Sequence, residues 1–334
     1  MEKQMIKKDK HVIEYDLMRV IFMLMTLGVH VVAYKLERNC LWMILDNFFI
    51  VCNPLFIMLS GRLNLDKEFK NKKDYMNYYK RKFVSIIIPF LVFSIIIQLV
   101  QYKSFNGFLK NLISNNIEPT YWFVYTLIGI LILSPFYSKM LQNMNKNEKK
   151  YFLYISIIAN FIILLFDFFN ISTTIGIGSV GIIGWHFYYF SGYIIEEVFE
   201  EKDKKTVYIL SILLFILACT INMNIKYYYK FKEPGIVLTF LAFAIYLLIK
   251  DSGKIKNKMM ANIISFISKY SYAFYLAHMI TLNYILNYFN LYSISIDIIA
   301  IFIITLIITL CISIIVQEII INPIQKKISK YLKL

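Results

Sequence analysis

The first long apolar run of the chain reads YDLMRVIFMLMTLGVHVVAY, residues 15–34. An α-helix needs about twenty such residues to cross the hydrocarbon core of a bilayer. Arg19 and His30 interrupt the run eleven residues apart, which places both on one helix face, ~16 Å apart along the axis. Ionisable groups inside a bilayer are costly, so the pair suggests a working site. The alternative is that Arg19 extends to the interface and that His30 is a core histidine.

The composition indicates a helical membrane protein. The 334 residues are 59% hydrophobic and 17% charged, with a mean hydropathy of +0.60, a profile that excludes an ordinary soluble domain. The apolar runs lack the two-residue alternation of barrel strands. The net charge of +15 lies in short segments between them, as in loops beside anionic lipid. This distribution favours membrane lipid over nucleic acid as a partner. The four cysteines are scattered and show no metal-ligand spacing.

We predict an all-α fold with about ten transmembrane helices in a single membrane-embedded domain, residues 1–334. A short N-terminus (1–16) and a tail (321–334) are expected in the cytoplasm, with the spans between 17 and 320. Helices of about twenty residues use up most of the chain. The approximate spans are 17–35, 41–62, 83–101, 121–141, 151–169, 176–196, 206–223, 234–250, 262–286 and 292–320.

The positive charges predict the orientation. With both termini inside, 27 of the 36 Lys and Arg residues lie in cytoplasmic segments and seven lie in outer loops, while Arg19 and Lys269 fall within spans. This bias follows the positive-inside rule and supports an N-in, C-in topology.

This orientation brings Asp46 to a depth similar to that of His30. The second span runs inward from Leu41, so Asp46 lies near the outer half of the membrane, as His30 does. A carboxylate there would orient the imidazole and fix its tautomer, as a general base requires. The alternative is that Asp46 is simply hydrated at the interface.

Several segments together resemble the acyltransferase-3 superfamily of membrane proteins. The Arg19-x10-His30 spacing resembles its first-helix signature, and four further segments resemble later motifs in the expected order. These are PLFIMLSGRL (54–63), YWFVYTLIGILILSPF (121–136), GWHFYYFSGYII (184–195) and SKYSYAFYLAH (268–278).

The resemblance implies transfer of an acyl group, acetyl or succinyl, from cytoplasmic acyl-CoA, most often acetyl-CoA. The implied acceptor is a hydroxyl of an extracytoplasmic or lipid-linked saccharide. His30 matches the essential histidine of the family and Arg19 its essential arginine. The chain is most similar to stand-alone polysaccharide O-acyltransferases of the bacterial plasma membrane, without an SGNH-type domain, so direct transfer to the acceptor is expected. Proteins of glycan biosynthesis are candidate partners.

The residue chemistry suits that reaction. A sugar hydroxyl is a poor nucleophile and needs a base, which His30 supplies. Arg19 suits the phosphate or pantetheine end of CoA. Fixed hydrogen-bond donors would stabilise the negative charge that develops on the thioester carbonyl oxygen. The predicted catalytic residues are therefore His30, Arg19 and Asp46, and no metal is expected. The residues predicted to bind the acyl-CoA donor are Arg19, Ser60, Trp122 and Tyr125. The alternative for these residues is a packing role.

Other polar residues leave alternatives open. His186 and His278 are core, helix-bridging or cavity-lining residues. Glu118 is by default a solvated loop residue, and otherwise contacts an acceptor hydroxyl at the outer mouth. The rival function is a transporter or flippase that exports a saccharide or small anion, since polar groups within spans also suit transport. The chain has only 11 glycines and six scattered prolines, and shows no evident half-to-half repeat.

Overall fold

The computed structural model describes residues 12–34, 40–168, 184–224, 235–252, 255–288 and 298–334. Helix makes up 87% of the structure, and the described residues contain no strand, which confirms the all-α prediction. Fifteen α-helices lie within these residues: α1 Ile13–Ala33, α2 Cys40–Phe49, α3 Cys52–Leu65, α4 Lys72–Lys82, α5 Ile88–Tyr102, α6 Phe108–Ile113, α7 Trp122–Gln142, α8 Lys146–Phe168, α9 Trp185–Val198, α10 Glu201–Asn224, α11 Ile236–Asp251, α12 Lys258–Lys269, α13 Ser271–Tyr288, α14 Ile298–Val316 and α15 Asn322–Leu332.

Single turns of other helix types join some of these helices. A π-helical turn, Phe83–Ile87, makes α4 and α5 continuous, a second one, Gln317–Ile321, joins α14 to α15, and a 3₁₀ turn, Pro119–Tyr121, leads into α7. Five helical stretches among the described residues are long and apolar enough to cross a membrane: Ile13–Ala33, Ile44–Leu65, Lys72–Tyr102, Pro119–Gln142 and Ile298–Leu332. The ten-helix count and the N-in, C-in topology stay predictions.

Two predicted spans are interrupted helices. The span 41–62 consists of α2 and α3, and Pro54 lies in the first turn of α3, where a missing backbone N–H costs no intrahelical bond. The span 262–286 consists of α12 and α13, which are separated at Tyr270. The predicted span 176–196 is described only from residue 184 onward.

The centre of the structure is the contact between α3 and α9, whose backbones touch at two glycines. A Cβ atom on Gly61 would lie 1.8 Å from the carbonyl oxygen of Tyr189, and a Cβ atom on Gly192 would lie 1.9 Å from that of Met58. Small residues let helices pack this closely where no hydrophobic driving force separates protein from lipid. The two Ser-Gly pairs in the sequence motifs are therefore points of direct backbone contact between α3 and α9.

One buried carboxylate ties this centre to two more helices. Glu196 of α9 accepts hydrogen bonds from the hydroxyl of Tyr15 on α1 (2.8 Å) and from Nε of Arg62 on α3 (2.9 Å). From α11, the Tyr246 hydroxyl donates at 2.6 Å and the Lys250 ammonium lies 3.3 Å away. A carboxylate this well paired fixes the relative positions of four helices.

The last long helix has a polar face turned inward. On α14, Thr305, Thr309 and Ser313 recur every four residues and are buried, whereas Ile299 and Ile307 are more than half exposed. Soluble proteins show the reverse arrangement. Small polar residues at helix contacts and isoleucines outside are typical of a helix that faces lipid.

Candidate active site

Arg19 is held in place by its own helix and by α12. Its Nη1 atom lies 2.6 Å from Oδ1 of Asp16, one turn earlier. Asp16 in turn accepts hydrogen bonds from the hydroxyls of Ser265 and Ser268, each at 2.8 Å. The guanidinium also donates to Ser268 at 3.4 Å. A paired carboxylate with two further donors fixes where the guanidinium points, and the Arg19 side chain still keeps 32% of its surface exposed.

The exposed side of Arg19 faces a basic cavity. The cavity has a volume of about 380 Å³, within the usual range for small-molecule sites. Lys67, which follows α3, and Lys82, at the end of α4, line it together with Arg19, and none of the described lining residues is acidic. Three basic side chains from three elements therefore line one cavity. The other lining residues are Phe56, Leu59, Ser60, Leu63, Asn64, Ile86, Phe123, Leu127, Ser271, Tyr272 and Tyr275.

The structure brings only some of the predicted donor-binding residues to this cavity. Ser60 lines it beside Asn64, whose amide donates to the Ser60 carbonyl oxygen at 2.7 Å. Trp122 packs against Trp185, with ring centroids 5.2 Å apart. The Tyr125 hydroxyl donates to the carbonyl of Leu112. Neither Trp122 nor Tyr125 is among the residues lining the cavity.

His30 lies beside a second histidine. Its ring centroid is 5.1 Å from that of His278 on α13, with the ring planes at 41°. His30 is half-buried, whereas His278 has no exposed surface. Sequence reasoning identified both residues but not their contact, since 248 positions separate them and only the packing of α13 against α1 brings them together.

Aromatic rings surround the buried histidine. The His278 ring stacks on Phe274, with centroids 6.4 Å apart and planes at 6°, and lies 5.4 Å from the ring of Tyr275. Its Nδ1 atom is 2.5 Å from the carbonyl oxygen of Tyr275. Because Tyr275 also lines the basic cavity, one aromatic residue contacts both the cavity and the imidazole pair.

The remaining predicted residues lie elsewhere. Asp46 is buried on α2, which packs against α1, and its orienting role stays a prediction. His186 is half-buried and meets the ring of Tyr137 edge-on at 5.9 Å.

The default that Glu118 is a solvated loop residue is wrong. Glu118 is only 3% exposed and accepts hydrogen bonds from the backbone N–H (3.4 Å) and hydroxyl (3.2 Å) of Thr120. Burial raises the pKa of the Glu118 carboxyl, and the two bonds from Thr120 oppose that change. The acidic residue followed by Pro-Thr, which caps the turn before α7, is the local signal for this burial.

Comparison with known proteins identifies the family of the chain. The model of the acyltransferase-3 family, described as an acyltransferase domain, matches residues 12–318, a range that includes both Arg19 and His30. A search of curated proteins and a search of solved structures each find no match. The family match covers nearly the whole chain, and the protein therefore belongs to the acyltransferase-3 family of membrane acyltransferases.

Proposed function

We propose that the protein is an O-acyltransferase that moves an acetyl or succinyl group from acyl-CoA to a saccharide. Acyl-CoA binds from the cytoplasmic side of the membrane. The acceptor is a hydroxyl of an extracytoplasmic or lipid-linked glycan. The membrane is the plasma membrane of a bacterium. The observation that carries this proposal is the basic cavity at Arg19, with His30 further along the same helix.

The basic cavity supports an acyl-CoA donor. Arg19, Lys67 and Lys82 are three basic side chains, and CoA carries phosphates that such groups bind. Ser60 and Asn64 add polar groups for the amides of a pantetheine arm. The sequence places the segment 62–82 in the cytoplasm, which is where acyl-CoA is found. A cavity of about 380 Å³ accommodates one arm of the donor and leaves the remainder in the cytosol.

The chemistry assigned to His30 is general base catalysis. The neutral imidazole accepts the proton of the acceptor hydroxyl as the hydroxyl oxygen bonds to the thioester carbonyl carbon. The carbon–sulfur bond then breaks, and the CoA thiolate takes the proton back from the imidazolium. The products are the O-acyl ester and free CoA. Asp46 is the orienting group that the sequence predicts, and Trp122 and Tyr125 are the further acyl-CoA-binding residues that it predicts.

The rival proposal, a transporter for a saccharide or small anion, makes a different prediction for CoA. Anything that binds the folded protein raises its melting temperature. Desulfo-CoA, which cannot transfer an acyl group, is expected to stabilise the acyltransferase in detergent. A glycan exporter would not respond to it. Membership of the acyltransferase-3 family favours the first outcome.

Replacing His30 with alanine tests the base assignment. We expect acetyl transfer in proteoliposomes to fall at least about 100-fold, since a positioned base contributes roughly 10² to 10⁴. Transfer is followed as release of free CoA from acetyl-CoA, with a membrane extract of the producing cells as acceptor. The mass added to the glycan identifies the acyl group. His186→Ala is the matched control, because His186 is also half-buried but lies against Tyr137. Full turnover in a folded His30→Ala protein would exclude the assignment.

A further inference from the structure

The hydrogen-bonding state of His278 follows from its surroundings. Its Nδ1 atom lies 2.5 Å from the carbonyl oxygen of Tyr275. A carbonyl only accepts hydrogen bonds, so Nδ1 carries the proton, and in the neutral ring Nε2 is then an acceptor. The ring has no exposed surface, and Nε2 has no hydrogen-bond partner among the described residues.

A buried hydrogen-bond acceptor without a donor is unusual and indicates a hydrogen bond that forms in another state of the protein. Leaving such an atom unpaired costs free energy, and native structures rarely do so without a functional reason. Phe274 and Tyr275 flank the ring. Phe274 has no donor, and the Tyr275 hydroxyl is already donated to the carbonyl oxygen of Thr120. The remaining ring in contact is the imidazole of His30, with centroids 5.1 Å apart.

We propose that Nε2 of His278 accepts the N–H of His30 during the reaction and so selects the tautomer in which His30 is a base. One nitrogen of His30 then donates to His278, and the other keeps its lone pair for the acceptor hydroxyl. His278 is thus a positioning residue, and it performs the role that the sequence assigned to Asp46. The inference rests on the proposed function, in which His30 is the base.

A neutral acceptor suits this depth in the membrane. The orienting group of a hydrolytic triad is a carboxylate, but an ionised carboxylate beside the half-buried His30 would carry a desolvation cost. An imidazole held in one tautomer by a backbone carbonyl supplies a lone pair without a charge. The Tyr275 carbonyl therefore orients His278, and His278 orients His30.

Two conservative variants separate the two nitrogens of His278. Asparagine places its amide near the Nδ1 position, which keeps the bond to the Tyr275 carbonyl and removes the acceptor at Nε2. Glutamine places an amide oxygen near the Nε2 position and removes the Nδ1 donor. We expect kcat to fall about 10- to 100-fold in His278→Asn, as when orienting partners of other histidines are lost. His278→Gln should keep most of the wild-type kcat. The KM for acetyl-CoA should be unchanged in both variants. Wild-type kcat in His278→Asn would overturn the inference.

Nitrogen NMR reads the tautomer directly and does not depend on activity. The chain has four histidines, so protein labelled with ¹⁵N-histidine gives few signals, which the His30→Ala and His278→Asn variants assign. We expect His278 as the Nδ1–H form and His30 as a single neutral tautomer, which becomes a mixture in His278→Asn but not in Asp46→Asn. If neither His278 variant folds, the wild-type spectrum decides, and a mixture at His30 overturns the inference. Full activity of His30→Ala would refute the proposed function alone, whatever the spectrum shows.

Discussion

Asp16 determines where the Arg19 guanidinium points, and Ser268 completes the arrangement. Ser268 is 5% exposed and contacts both members of the pair. The Asp16–Arg19 contact is local, since residues three apart on a helix are neighbours, and the two side chains lie 2.6 Å apart. The serines that complete it are about 250 positions away, and no local pattern predicts them.

Removing the Ser268 hydroxyl should weaken donor binding and leave the chemical step intact. In Ser268→Ala, Asp16 loses a hydrogen bond worth about 1 kcal/mol, and we expect KM for acetyl-CoA to rise roughly five-fold with kcat unchanged, because His30 is not touched. Steady-state release of CoA measures both constants. Ser252→Ala is the control, since that hydroxyl donates to the local carbonyl of Ile249. A fall in kcat with constant KM would contradict the positioning role.

Glu118 makes stability depend on pH in a defined direction. Burial raises the pKa of its carboxyl above its ordinary value of 4.5, so the folded protein binds this proton more tightly than the unfolded chain. The stabilisation is complete below about pH 4.5 and is lost as the pH rises through the folded-state value. We therefore expect the melting temperature of Glu118→Gln, relative to wild type, to increase with pH across that interval. The exposed Glu68→Gln serves as control, and a pH-independent difference would contradict the burial.

At the scale of the helices, α3 and α9 leave no room for a side chain at Gly61 or Gly192. A methyl group at Gly61 would overlap the Tyr189 backbone at 1.8 Å, and a backbone cannot move aside as a flexible side chain does. The sequence shows the Ser-Gly pairs but not their reason, because a glycine in a helix predicts neither its partner helix nor the distance of approach.

Gly61→Ala is expected to destabilise the protein strongly, by more than about 3 kcal/mol, since overpacking against a rigid partner costs about 1–3 kcal/mol even where neighbours can shift. Gly129→Ala is a matched control on α7, where a Cβ atom would meet nothing within 4 Å, and there alanine should be neutral or stabilise by about 0.5–1 kcal/mol. Thermal unfolding in detergent measures both variants. Equal melting temperatures for the two would show that α3 and α9 are not in backbone contact.

Over the whole molecule, the composition predicts a membrane-embedded helical protein, and the distribution of Lys and Arg predicts its orientation. These properties follow from the cost of placing polar groups in lipid, which depends little on tertiary detail. The cavity and the His30–His278 contact depend on which helix faces meet. Ser60 therefore faces the cavity, whereas the Tyr125 hydroxyl bonds the carbonyl of Leu112 instead, and spacing alone does not distinguish the two.

Cysteine labelling of intact cells tests the N-in, C-in topology. In a chain whose four native cysteines are replaced by serine, Lys110→Cys is expected to react with an impermeant maleimide from outside, because the predicted topology makes the segment between α5 and α7 an outer loop. Lys327→Cys on α15 should react only after the membrane is opened. Both positions are exposed in the structure, so accessibility reports the side of the membrane. Labelling of Lys327→Cys in intact cells would reverse the predicted orientation.

The position of the Tyr275 ring has a consequence for proton leakage across the membrane. If the protein joins a cytosolic thioester to an outside hydroxyl, as proposed above, protons must not leak through the same route. Tyr275 contacts the basic cavity on one side and the imidazole pair on the other, and its hydroxyl is anchored on the Thr120 carbonyl. In the proposed reaction, a thioester arm bound in the cavity would therefore meet the ring of Tyr275 beside the imidazole pair.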